Sequence, residues 1–316
     1  MKPLNLFPYD SNFNFMRLRW VALMVAAALL LTAMGAIAVN GFNFALDFTG
    51  GTVTELRFEQ PVDVDDVRTQ LVEAGYESPQ VQTLGSGNDL LVRLQPKVGD
   101  DAEGTTRTAD DVLRAVSTPA NPGTVIKSDF VGPQVGDELA LNGIYAMLFV
   151  VIGFLVYISF RFEWKFAVAA TITTLQDITI VLGWFALTGR EFDLTVLAGV
   201  LSVMGYSIND TIVVFDRVRE NFRLLRVNPV AVLNKSINQT LSRTMITSFV
   251  AFLTILALYL YGGGSLRGMA EAQLVGILIG TVSTTFIACP LLLWLGVSKQ
   301  DLMPKARDEA ELARRP

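Results

Sequence analysis

The sequence predicts a polytopic α-helical membrane protein of six transmembrane helices, with a ferredoxin-like α+β extracytoplasmic domain between helices 1 and 2. Three observations carry that expectation. Of the 316 residues, 51% are hydrophobic and only 17% charged, and the mean hydropathy is +0.44. The apolar residues are not spread amphipathically but fall in six blocks, each of about 20 residues, the length that crosses a hydrocarbon core of ~30 Å. The interval 40–139 between the first two blocks is instead acidic, with 17 Asp/Glu against 7 Lys/Arg.

The blocks are Trp20–Val39, Leu141–Phe160, Phe166–Leu187, Leu194–Phe215, Met245–Tyr261 and Ala270–Leu295. Lys2, Arg17 and Arg19 precede the first, and Ala36-Ile37-Ala38 resembles a cleavage site, so a signal peptide is the competing reading. The apolar core is longer than the about 7–15 residues of such a segment, which favours an uncleaved span. The fifth block is short unless its helix starts at or before Arg243. Asn228-Pro229 supplies a start on the near side, as N-cap followed by Pro at the first helical position.

Lys and Arg of short loops remain cytoplasmic. They cluster before span 1, between spans 2 and 3 (Arg161, Lys165), between spans 4 and 5 (Arg217, Arg219, Arg223, Arg226, Lys235) and after span 6 (Lys299, Lys305), whereas the opposite short loops hold only Arg190 and Arg267. The expected organisation is a cytoplasmic N-terminus 1–19, span 1 at 20–39, the extracytoplasmic domain 40–139, spans 2–6 within 140–296 with a cytoplasmic loop 216–242, and a cytoplasmic tail 297–316.

Within the domain, Thr52–Phe58 alternates with period two, as a half-buried strand does. Val64–Ala74 is amphipathic, acidic at its start and stopped by Gly75. Gln80–Thr83 and Leu90–Leu94 read as strands joined by the turn Gly85-Ser86-Gly87-Asn88. Thr108–Val116 opens with a Thr N-cap, and Val125–Phe130 is again strand-like. Strand, helix, two strands, helix, strand is the ferredoxin-like order. The polar tract Val98–Thr108 reads as a mobile loop. The acidity of the domain reads as a solvated surface and gives no sign of nucleic-acid binding.

Composition also narrows the chemistry. The chain has no histidine and one cysteine, Cys289. His-ligated metal sites and His-based triads are excluded, and an internal disulfide cannot form. No phosphate loop, metal-ligand cluster or Gly-x-Ser-x-Gly elbow is present, so no cofactor, no metal and no enzymatic activity are expected. Leu46–Thr52 is the one pointed stretch of the domain, and taken alone its Gly50-Gly51 pair is ordinary turn chemistry.

The informative residues are ionisable groups inside the spans, since a carboxylate at a helix centre costs about 2.5–3.5 kcal/mol to insert. Three are read there. Asp177 lies ~16 Å into span 3 at 1.5 Å per residue. Asp210, preceded by Asn209, lies ~24 Å from the outer edge in span 4, and Arg243 of span 5 lies ~28 Å from that edge. Asp210 and Arg243 could therefore meet if spans 4 and 5 pack together. Stepping back from Asp210 gives Ser207, Val203 and Gly199, a face suited to helix packing. Around Arg243 stand Ser236, Gln239, Thr240, Thr247 and Thr254, which must face protein or water. In span 6, Gly276, Gly280 and Ser283-Thr284-Thr285 read as a close packing face.

Three readings of Asp210 and Arg243 stay open on these grounds: a static ion pair, an Arg243 that snorkels to the interface, and a carboxylate that gains and loses a proton under the control of burial and a nearby cation. For Asp177 the alternatives are proton coupling or a helix-packing hydrogen bond. An intramembrane aspartyl protease fits poorly, because the two carboxylates differ in depth by ~8 Å and neither lies in a Gly-x-Gly-Asp turn.

Gly205–Asn221, containing Tyr206-Ser207-Ile208-Asn209-Asp210-Thr211, closely resembles the signature of the SecF branch of the SecD/SecF family, membrane subunits of the bacterial Sec protein translocase. Asn238–Thr244, Gly280–Ser283, Leu46–Thr52 with Asp47, Gly50 and Gly51, and Val131–Leu139 resemble further motifs of that family, so the likeness runs from about residue 44 to 290. The resemblance implies the resistance–nodulation–division superfamily, in which six-span halves pair about a pseudo-twofold axis. It implies SecD as the partner half, beside the SecYEG channel in the bacterial inner membrane. It further implies use of the proton-motive force to draw a preprotein outward after the ATP-driven motor SecA has acted. The family's proton path falls on Asp210 and Arg243, with Thr247 one turn beyond and Asp177, Asn209 and Ser207 beside it. Where the family often has His-Asp, this chain has Gln176-Asp177, so a titrating histidine is not expected. The competing functions are half of a proton-coupled exporter of lipid or small molecules and a structural scaffold.

Overall fold

The computed structural model describes residues 12–76, 79–84, 88–94, 104–119, 121–225 and 227–298. The chain divides into two compact units, Phe44–Ala146 and the remainder.

The first unit is built on a four-stranded antiparallel sheet of β1 (Gly51–Phe58), β2 (Gln80–Leu84), β3 (Asp89–Leu94) and β4 (Gly123–Val131), in the order β2-β3-β1-β4. With helices after β1 and before β4, this is the ferredoxin-like arrangement. On β1 the alternation seals Thr52, Thr54, Leu56 and Phe58 inward. Leu56 and Phe58 join Val81, Leu90, Val92 and Leu94 of the sheet and Val67, Leu71, Val112 and Val116 of the two helices in one core. The first of those helices, Val64–Glu73, is capped by Asp63, whose side chain accepts from the Asp65 N–H. It ends before Gly75, at φ 86°, a left-handed conformation that favours glycine. The second spans Gly104–Val116. Thr108 is therefore not its N-cap, as expected from sequence, but lies inside it. Gly85–Gly87 of the expected hairpin turn and the greater part of the expected loop 98–108 lie outside the described residues.

Among the described residues six helices are long and apolar enough to cross a membrane, and all but the start of the second belong to the second unit. They are numbered here α1 (Arg19–Asn40), α2 (Pro133–Arg161, of which Met147 onward belongs to this unit), α3 (Trp164–Thr188), α4 (Leu194–Leu224), α5 (Pro229–Tyr261) and α6 (Gly264–Ser283), the last continued by a π-helical turn at Thr284–Ala288 and by α7 (Cys289–Trp294). The wide turn precedes Pro290. A proline there lacks an N–H and its ring would strike the carbonyl four residues back, so the ladder opens locally rather than breaking. Asn228 caps α5 by accepting from the Ala231 N–H, with Pro229 opening the helix. The described residues of the polar stretch 216–242 are helical except 225, 227 and 228, because α4 and α5 both run well past their apolar blocks.

The helices α3, α4 and α6 form the centre, with α1 and α5 packed around them. Small residues set the spacing. At Gly199 a side-chain carbon would stand 2.9 Å from the Met269 carbonyl oxygen, and at Gly276 it would overlap the Val203 side chain. Gly280 faces Ser207, and Gly183 lies against the backbone of Ala33 on α1. The face Gly199-Val203-Ser207 and the glycines of span 6, read separately from sequence as packing surfaces, are thus the two sides of one contact. At the basic end of the bundle, Phe215 packs edge to face against the stacked pair Phe162 and Phe166, Arg161 pairs with Asp216 at 2.9 Å, and Lys165 donates to the Gly296 carbonyl.

Candidate functional site

Asp177 sits at the junction of α3, α4 and α6 with no exposure to solvent. Its Oδ2 accepts from Ser207 Oγ at 2.6 Å and from Ser283 Oγ at 2.8 Å, while Oδ1 has no hydrogen-bond partner. The close approach of Gly280 to Ser207 lets both hydroxyls reach one oxygen. Sequence spacing marked Ser207 as a packing residue. Its second role, and that of Ser283, depends on a carboxylate from another helix.

One turn further along α4, Asp210 is buried against α5. Its Oδ1 accepts from Thr244 Oγ1 at 2.8 Å, and its Oδ2 is unpartnered. Arg243 stands next to Thr244 in the chain, but its side chain points to the exposed side of α5 and makes no hydrogen bond or ion pair among the described residues. The anticipated meeting of spans 4 and 5 occurs, and the hydroxyl rather than the guanidinium completes it. Thr247 is also exposed, its hydroxyl donating to the carbonyls of Arg243 and Thr244 at 3.0 Å each. Asn209 is exposed on α4. Of the six candidate residues, the structure joins Asp177 to Ser207 and seats Asp210 nearby, while Arg243, Thr247 and Asn209 lie on uncovered surface.

The polar stripe of α5 splits accordingly. Ser236, Thr240, Thr244 and Ser248, four residues apart, are buried, whereas Arg243, Thr247 and Thr254 are exposed and Gln239 is half-buried. The buried row continues the hydroxyl network. Tyr206 donates to Ser248 Oγ, and Thr281 donates to the same atom, both at 2.8 Å. Asn221 donates to Ser236 Oγ at 2.9 Å and to Gln239 Oε1 at 2.8 Å. A polar cleft of about 250 Å³ is lined by Asp216, Arg217, Glu220, Gln239, Thr240 and Arg243.

The count of three ionisable groups within the spans needs correction. Glu271, near the start of α6, is buried, and accepts from Trp184 Nε1 at 2.8 Å and from Arg190 at 2.8 Å. In the sequence it stands inside an apolar run, and Arg190 reads as a plain loop charge.

In the other unit, Leu46–Thr49 forms a single helical turn containing Asp47. Gly50 and Gly51 follow at φ 66° and 115°, conformations that side chains rarely adopt. Gly136 approaches them so closely that a side-chain carbon there would lie 2.9 Å from the Gly50 nitrogen. The Gly-Gly pair is therefore a close backbone joint between the Leu46–Thr52 and Val131–Leu139 stretches, which is more than ordinary turn chemistry. No cluster of three His, Cys, Asp or Glu that could hold a metal occurs among the described residues.

A six-helix membrane bundle, with buried carboxylates held by hydroxyls from neighbouring helices and a ferredoxin-like insert after its first helix, defines a class of multi-pass membrane protein. The particular family follows from comparison. The family described as protein export membrane protein SecD/SecF, C-terminal, matches residues 112–298, and the SecD/SecF GG motif matches residues 35–62. The chain is 46% identical over 306 residues to the protein translocase subunit SecF of Pseudomonas aeruginosa, covering 95% of this chain and 97% of that one. It is 41% identical to SecF of Escherichia coli O157:H7, covering 92% and 90%. The crystal structure of SecDF from Thermus thermophilus, described as a translocon-associated membrane protein, superposes with a TM-score of 0.82 at 38% identity, and this chain spans 40% of its length. The chain belongs to the SecD/SecF family of protein export membrane proteins.

Proposed function

We propose that the chain is a SecF-type subunit of the bacterial Sec translocase, one half of a pair completed by a SecD protein. On this reading it lies in the inner membrane with both termini cytoplasmic and the domain 40–139 outside. With SecD it draws preproteins through SecYEG after SecA has acted, at the expense of the proton-motive force. Relatives named protein translocase subunit SecF along nearly their whole length support the subunit assignment. Relatives named SecDF, in which this chain matches about 40% of a longer polypeptide, support a SecD partner.

The observation that carries the proton step is the seat of Asp210, bonded on one oxygen to Thr244 and bare on the other, with an unpaired Arg243 on the adjoining residue. A neutral acid keeps the Thr244 donation on Oδ1 and carries its proton on the bare Oδ2. An ionised one draws Arg243, whose long side chain shares the same turn of α5, so loss or gain of a proton shifts α5 against α4. The test is export into inverted membrane vesicles containing this chain, its SecD and the Sec channel, with ATP present and the proton gradient imposed or collapsed. Faster export under the gradient is expected. An unchanged rate, with all components assembled, would overturn the proposal.

A further inference from the structure

The segment before α1 is clipped to α5 by two asparagines one turn apart. Asn238 pairs with both backbone groups of a single residue: Phe13 N–H donates to its Oδ1 at 3.0 Å, and its Nδ2 donates to the Phe13 carbonyl at 2.9 Å. Asn234 accepts from the Met16 N–H at 3.0 Å and donates to Asn14 Oδ1 at 3.0 Å. Both clamps join residues more than 200 positions apart. A carboxamide presents a donor and an acceptor side by side, so it pairs with a backbone N–H and C=O as a neighbouring strand would. Neither Asp, which lacks the donor, nor Ala can replace it. The clip is seated in packing: Met16 is 2% exposed within the bundle core, and Phe15 rests on Phe286 with ring centroids 5.5 Å apart.

Its place in the fold gives the clip a consequence. Residues 15–18 form a 3₁₀ turn that runs directly into α1. At its other end α1 is tied to α3 and the turn after it, through Asn40 Nδ2 to the Ala186 carbonyl at 3.1 Å and Asn43 Nδ2 to the Gly189 carbonyl at 3.0 Å, before the chain enters the ferredoxin-like domain. Asn238 precedes Thr244 by six residues, ~9 Å along the same helix. We infer that Asn234 and Asn238 are positioning residues that fasten the start of α1 to the helix carrying Arg243 and Thr244, so that a movement of α5 is delivered along α1 to the domain. Rigid helices joined at a fixed point transmit displacement in this way. The inference rests on the proton-driven reading above.

The test compares export with the gradient imposed and collapsed, per assembled complex, for wild type and Asn234→Ala/Asn238→Ala. The double variant should export at the wild-type rate without a gradient, and its ratio of imposed to collapsed rate should fall to unity. A purely structural clip would lower the amount of complex and leave the ratio per complex unchanged, and that result overturns the inference. A second variant, Phe13→Cys/Asn238→Cys in a Cys289→Ala background, guards against poor folding. Joined by a reducible bis-maleimide it should respond to the gradient, and after reduction it should not. Equal ratios before and after reduction likewise overturn the inference. Absence of a gradient response in wild type instead removes the parent reading, so the two failures are distinguishable.

Discussion

Replacing Asp210 by Asn removes the ability to ionise and keeps the shape. In the native chain Asp210 Oδ1 accepts from Thr244 at 2.8 Å and Oδ2 has no partner. The amide oxygen can retain the Thr244 bond in neutral form. The change there is from about 1.5–3 kcal/mol for a bond to a charged group to about 0.5–1.5 kcal/mol for a neutral one, a loss of order 1 kcal/mol. Arg243 is not orphaned, because it makes no ion pair with Asp210, so the ~3–5 kcal/mol of a broken buried pair is not incurred. The functional stake is larger. One charge crossing 100 mV releases ~2.3 kcal/mol, which biases a two-state element by roughly fifty-fold at ~1.4 kcal/mol per decade. Asp210→Asn should therefore assemble at wild-type levels, lose at most about 1–2 kcal/mol in detergent unfolding, and export at the gradient-collapsed rate whether or not the gradient is imposed. Arg243→Ala should fail in the same way and Arg243→Lys only in part, since lysine keeps the charge but not the planar fork. If Asp210→Asn, normally assembled, still accelerates under the gradient, the coupling carboxylate lies elsewhere and Asp177 is the next candidate. If the variant loses 3–5 kcal/mol instead, a static pair explains the two residues.

A cysteine at exposed Glu73, in a Cys289→Ala background, should react with an impermeant thiol reagent in cells whose outer membrane has been permeabilised. Labelling only after disruption of the inner membrane would reverse the proposed orientation. Gly276→Ala should destabilise the bundle by about 1–3 kcal/mol through overpacking, read as a lower unfolding midpoint in detergent, and Val203→Ala in the same chain should recover part of it. No recovery would mean that this helix contact does not set the spacing. In the domain, the hydrogen bond from Arg57 and then its charge hold the Asp89 carboxyl below the ordinary carboxylate range. The stabilising effect of a depressed carboxylate is present above the unfolded-state pKa and is lost as pH falls through the native one. Amide exchange of Leu90–Leu94, corrected for intrinsic rate, should accordingly lose protection on acidification more steeply in wild type than in Arg57→Ala. Parallel profiles would show that the exposed pair contributes nothing.

The spans and the ferredoxin-like order were legible because each rests on a local regularity, a long apolar block or an alternation bounded by turns. The start of the second domain helix was not. Gly104-Thr105-Thr106-Arg107 has low helix propensity and reads as loop, yet Ala109, Val112 and Val116 bury against the sheet, and tertiary packing extends the helix backward. The site was half legible. Asp177, Asp210 and Ser207 stand out because polar residues are costly in a span. The partners Thr244 and Ser283 do not, because which hydroxyl meets which carboxylate depends on the register between helices far apart in sequence. Glu271 carried the same signal as the two aspartates, and only its place at the edge of an apolar run concealed it.

On α5, spacings of three, four and seven residues are nearly equivalent on one helix face, so the sequence presents its hydroxyls and Arg243 as a single stripe. The structure separates them into two rows about 100° apart. The inner row is satisfied within the chain, by Asp210, Tyr206, Asn221 and Thr281. The outer row at Arg243, Thr247 and Thr254 is exposed, with Arg243 at the rim of the polar cleft beside Asp216, Arg217 and Glu220 of α4, and hydrocarbon cannot solvate a guanidinium. Protein or water must cover it. Asn209 on α4 is exposed as well, so the uncovered polar surface is not confined to one helix. Of the residues that the family resemblance ties to proton movement, Arg243, Thr247 and Asn209 are exposed, while Asp210, Asp177 and Ser207 are buried within the chain. On the proposed reading of the chain as one half of a pair, the inner row seats the carboxylates and the second half supplies the environment of the outer row.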